Sequence, residues 1–215
     1  MSSMELLNWA RGPGLQISVA IFLFGVIVRL LGIFFLGRKK DLAKARANGF
    51  LPGLRTIFTR SVPPKGLWSY EIASYIFHIG FFVTLLFFVP HILLLKEAVG
   101  FRWPGLPNSI IDFTAILSIA AMFYLLLTRI IDPVRRFISG PRDYIVWLIT
   151  ILPLITGYLA FHRELLPYTQ MLAFHILSVE LFLVLFPFTK LMHAFTLFIS
   201  RWYNGALAGR KGVQT

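Results

Sequence analysis

No cysteine occurs among the 215 residues. Its absence excludes disulfides, a thiol nucleophile, cysteine-ligated zinc, an iron–sulfur cluster held by this chain and the Cys-x-x-Cys-His attachment of a covalent haem. Charge is scarce as well: 14% of residues are Asp, Glu, Lys or Arg, where a soluble domain carries about 25%. So few charges cannot cover a water-facing surface, which excludes an ordinary soluble globule, a disordered chain and a coiled coil. Acidic residues are scarcest, nine against 21 Lys and Arg, for a net charge of +12. Strict apolar/polar alternation is missing, which argues against a transmembrane barrel. No internal repeat or soluble domain is visible, and Met1 to Gly14 lacks the basic segment of a signal peptide.

What is abundant is apolar: 57% of the chain is hydrophobic. Five stretches stand out, at about 15–36, 72–95, 110–131, 144–161 and 171–200. Each reaches the roughly 17–25 residues that cross a bilayer core. Backbone polar groups in lipid must be satisfied internally, so these are expected to be helices. The expected fold is all-α, a single five-span membrane domain over residues 1–215, in the cytoplasmic (inner) membrane.

The basic residues give an orientation. Between spans one and two lie Arg38, Lys39, Lys40, Lys44, Arg46, Arg55, Arg60 and Lys65, against Asp41 alone. Arg129, Arg135, Arg136 and Arg142 lie between spans three and four, and Arg201, Arg210 and Lys211 follow span five. The other side has Arg11, Lys96, Arg102 and Arg163. The positive-inside rule places the N-terminus outside and the C-terminus in the cytoplasm. The positive charge is therefore read as topology and lipid-headgroup contact, with no nucleic-acid partner.

Five histidines remain: His78, His91, His162, His175 and His193. Ionisable groups inside lipid are expensive and mark function. His78 and His91 fall on span two, His175 and His193 on span five. An ideal helix turns five times over the 18 residues from His175 to His193, setting both on one face about 27 Å apart. With the spans antiparallel, His78 shares the inner depth with His193, and His91 shares the outer depth with His175. Two inter-helix pairs at two depths suit two stacked bis-histidine b haems. His78 and His91 fit less well, about 140° apart on an ideal helix, and Pro90 is expected to re-aim His91. The alternative outer ligand is His162, with His91 then a quinone-site or structural residue. Arg29, deep in span one, either snorkels to the interface or pairs with a haem propionate. Lys190 is open to the same reading, and Glu180 either pairs with another helix or relays a proton.

These residues resemble a known family. The run from His175 to His193, with its Leu-Phe-Pro-Phe-Thr-Lys-Leu-Met-His ending, is similar to the last helix of the respiratory nitrate reductase gamma subunit, a five-span dihaem cytochrome b. Phe77-His78-Ile79-Gly80 resembles that family's second helix, Phe24-Gly25 with Arg29 its first, and Asp143 before an apolar run its fourth. The resemblance extends to cytochrome b subunits of sulfite-reduction-associated, heterodisulfide-reductase-like and hydrogenase complexes. The chain departs from the pattern where the second histidine of helix two would stand: Phe88 is there, and His91 comes three residues later.

The resemblance implies two b haems, a quinone site near the outer one, and a cytoplasmic iron–sulfur partner with further catalytic subunits. It implies His78 and His193 as inner ligands and His175 as an outer one. The expected role is electron transfer between menaquinone or ubiquinone and that partner, with quinol oxidation or quinone reduction at the membrane. The rival expectation is a haem-free transporter whose histidines relay protons.

Overall fold

The computed structural model describes residues 2–36, 44–58 and 67–213. Six residues of the large basic loop, Arg38, Lys39, Lys40, Asp41, Arg60 and Lys65, lie outside them. The described residues form helices and no strand. Ten α-helices follow in order: α1 Ser3–Trp9, α2 Leu15–Leu36, α3 Phe50–Phe58, α4 Trp68–Phe87, α5 Val89–Val99, α6 Asn108–Ile131, α7 Pro133–Phe137, α8 Pro141–His162, α9 Tyr168–Leu185 and α10 His193–Arg210. A π-helical turn, Ala10–Gly14, joins α1 to α2. Among the described residues five segments are long and apolar enough to cross a membrane: Ser3–Leu36, Trp68–Phe87, Asn108–Ile131, Pro141–His162 and Tyr168–Phe188. The chain is an all-helical, multi-pass membrane protein.

Two proline breaks shape these spans. Span two is not one helix to residue 95. Pro90 has no N–H to give the carbonyl of Leu86, and Phe88 turns extended between α4 and α5. The freed carbonyls find other donors: Trp103 Nε1–H reaches Leu86 at 2.6 Å, and Leu106 N–H reaches Phe87 at 3.0 Å. Span five is interrupted too. Between α9 and α10 lie two 3-10 turns, Phe186–Phe188 and Lys190–Met192, around an extended Thr189. Pro187 again removes a helical donor, and the Thr189 hydroxyl accepts from Leu191 N–H at 3.4 Å. The ideal-helix projection that puts His175 and His193 on one face therefore does not hold.

The chain forms two compact units. The first comprises Met1–Ser18 and Pro64–Phe182. Within it α4 packs along α6, and α6 against α8. Ala73, Phe77, Ala121, Met122, Ile151 and Leu154 form a buried cluster, and Trp147 Nε1–H donates to the Met122 carbonyl at 2.8 Å. Gly80 sets the α4–α6 spacing: a Cβ there would strike Ser118 and come 2.9 Å from the Thr114 carbonyl. That space is filled by α6. Arg129 lies 3.6 Å from Asp143, joining the end of α6 to the start of α8.

The second unit comprises Val19–Pro63 and Leu183–Thr215. In it α3 packs on α10 through small residues, and Cβ atoms at Gly53, Gly205 or Gly209 would each collide with the facing helix. On α2, Gly25 receives the Pro187 ring, where a Cβ would lie 2.5 Å from Cγ. One turn on, Arg29 Nε–H donates to the Pro187 carbonyl at 3.2 Å.

Candidate functional site

The site is built from the break at Phe88. His91 falls in the first turn of α5, and its Nδ1 lies 3.0 Å from the carbonyl of Thr84, back on α4. Nδ1–H donates, so the ring's lone pair is at Nε2. Phe88 packs edge-on against the same ring at 5.2 Å.

His175 comes from α9 and leans on α8. Gly157 makes the space: a Cβ there would lie 2.9 Å from His175 Cε1 and 3.2 Å from Nδ1. Thr156, one residue before, places its hydroxyl oxygen 3.3 Å from His175 Nδ1 while lying 2.7 Å from the Leu152 carbonyl. The hydroxyl donates to that carbonyl and accepts from Nδ1–H, which again leaves the lone pair at Nε2. Ser178 donates to the His175 carbonyl at 2.7 Å and sits 2.9 Å from Thr156 Oγ1.

These elements bring His91 and His175 together. Their ring centres are 6.2 Å apart and their planes differ by 23°. The two rings are thus a near-parallel, stacked pair drawn from α5 and α9. Each ring also has its second nitrogen tied by a hydrogen bond, as ligating histidines do. Both residues could therefore hold a shared metal or cofactor through Nε2.

His162 is not brought to His175. It ends α8, with Nε2 3.2 Å from Asp112 Oδ1 and its ring 4.3 Å from that of Tyr158. Ring contacts nonetheless link it to the pair: His162 to Phe161, Phe161 to Phe88 and Phe88 to His91, each 5.2 Å.

His78 belongs to the first unit and His193 to the second. His78 Nδ1–H donates to the Ser74 carbonyl at 2.6 Å, and His193 Nδ1–H to the Lys190 carbonyl at 2.8 Å. Arg29 is held by Pro187, as described above. Among the described residues no group of three or more His, Asp or Glu side chains is placed to hold a metal ion.

Sequence reasoning missed Thr156, Gly157 and Ser178. A Thr-Gly pair in an apolar helix reads as packing, and only the approach of α9 gives it a role. Trp103 was equally silent, although a proline four residues after Leu86 signals a carbonyl in need of a donor.

No family model matches the chain. A protein of Nitratidesulfovibrio vulgaris (strain Hildenborough) is 30% identical over 204 residues, which cover 90% of this chain and 89% of that protein. Its name, "Protein", states no activity. The chain belongs to the same family as this protein.

Proposed function

We propose that the chain is the dihaem cytochrome b subunit of a respiratory oxidoreductase, carrying electrons between a membrane quinone and a cytoplasmic iron–sulfur subunit. The observation that supports it best is the His91–His175 pair, with its 6.2 Å ring separation and tied Nδ1 atoms. A site with only two protein ligands suits a metal whose other positions a macrocycle fills. Bound haem would supply one-electron transfer. His91 and His175 would hold the outer haem. His78 and His193 are carried as the inner ligands by the family resemblance alone.

The chain's own residues prepare these positions. Thr84 and Thr156 fix the ring orientations of His91 and His175, and Gly157 lets the His175 ring lie on α8. Arg29 spends one N–H on Pro187, and a guanidinium has five, so the others are proposed to meet a propionate. Menaquinone or ubiquinone would exchange electrons near the outer haem, with the N-terminus outside and the C-terminus cytoplasmic in the inner membrane. Terminal chemistry is left to partner subunits.

A second reading, a haem-free proton relay, draws on the contact of His175 Nδ1 with the Thr156 hydroxyl. The visible spectrum of the purified chain separates the two. Reduced-minus-oxidised bands of a b-type cytochrome support the first reading, and a chain without them supports the second.

A further inference from the structure

Two irregularities meet at Gly14. One is a carboxyl group. Glu180, on α9, is 6% exposed, and its Oε1 has no hydrogen-bond partner. The other is the π-helical turn Ala10–Gly14, which contains Pro13 and a non-helical Gly12 at φ −102°, ψ −105°. π-Turns inside longer helices are rare and gather at functional sites. Irregular backbone at membrane depth is tolerated where protein or a water-filled cavity covers it.

The fit between the two is close. A Cβ on Gly14 would come 2.7 Å from Glu180 Oε1, 3.0 Å from Oε2 and 2.7 Å from the Trp9 ring. The carboxyl therefore rests on bare backbone that any other residue would cover. A Cβ on Gly12 would meet nothing within 4 Å, so the turn has open space beside it.

No cation answers this carboxyl from the helices packed around it in the first unit. Glu5 and Arg11, the charged residues at this end of the chain, are exposed. On α9 the nearest ionisable residue is His175, five positions back and about 140° round the helix. Helix α4 meets α9 through Phe81 and Phe182, and residues 80–86 carry no ionisable side chain. Helix α8 meets it through Thr156 and Ser178, and residues 150–157 carry none either. An ionised carboxylate with an orphan oxygen in such surroundings would be uncompensated. A carboxylic acid needs no counter-charge.

We propose that Glu180 is a proton-binding site inside the membrane-spanning region, holding an exchangeable proton reached through the π-turn at Ala10–Gly14. This requires no metal, so it stands whether or not His91 and His175 hold haem.

The test uses the full chain in lipid nanodiscs. Infrared spectra of wild type and Glu180→Gln should differ by the C=O stretch of one protonated carboxyl, and that band should shift in D2O. Dicyclohexylcarbodiimide adds to protonated carboxyls in apolar surroundings. It should add once to the peptide containing Glu180 and not at all to that peptide in Glu180→Gln. Gly14→Ala, which crowds both oxygens, should slow the labelling several-fold. Labelling of the wild-type peptide containing Glu180 is read without any variant, so it stands even if a variant folds poorly. A carboxylate band in place of the protonated one overturns the proposal, and so does a protonated band that never shifts in D2O, since that acid is sealed. Labelling unchanged by Gly14→Ala in a folded variant overturns the route.

Discussion

His91 and His162 test the account at the scale of single residues. Both were open as partners of His175, and the structure sets only the His91 ring beside it. His91→Ala is expected to remove the outer-haem bands and leave the inner ones, whereas His162→Ala keeps both, because His162 is tied to Asp112. Redox-resolved spectra of the two variants check this, and the reverse pattern would exchange their roles. Gly157→Ala is the sharper substitution. In a helix interior Ala is better than Gly by about 0.8–1.0 kcal/mol, so α8 itself should not suffer. The new Cβ would nonetheless press on the His175 ring, and outer-haem occupancy should fall while membrane insertion is kept. Thr156→Ala removes the hydroxyl that orients the same ring. Loss of such a partner typically costs 10–100-fold in metal affinity, measurable by haem titration.

The helices show what the sequence could and could not convey. That five apolar stretches exist was legible, because length and the lack of charge decide it. That they are interrupted was half legible. Pro90 announced a bend before His91, and the break is there at Phe88. Pro187 stood just as plainly in the fifth stretch, yet the 18-residue spacing invites an unbroken helix. The interruption from Phe186 to Met192 is stable because other elements answer it: Gly25 takes the proline ring and Arg29 the freed carbonyl. Those partners lie some 160 positions away in the chain, beyond the reach of any local pattern. Restoring a donor tests the first break. Pro90→Ala offers an N–H to the Leu86 carbonyl in competition with Trp103, favouring a straighter helix that turns His91 away. Outer-haem bands should weaken with the inner bands intact. Trp103→Phe does the opposite, leaving that carbonyl without its indole donor, at a cost of about 0.5–1.5 kcal/mol for the lost hydrogen bond. Thermal denaturation in detergent should register it.

At the scale of the whole molecule the proposal concerns direction and cofactor. Fifteen of the 21 basic residues lie in the loops after spans one and three, at the end of span three (Arg129) and in the tail, so a reporter fused after Thr215 should read cytoplasm. A signal from the opposite side would invert the proposed electron path. The central claim is the haem itself, and pyridine haemochrome analysis of the purified chain measures it directly. Two b haems per polypeptide are expected, one on each histidine pair. A chain that folds and inserts without haem would contradict the cytochrome assignment, whatever the geometry of His91 and His175.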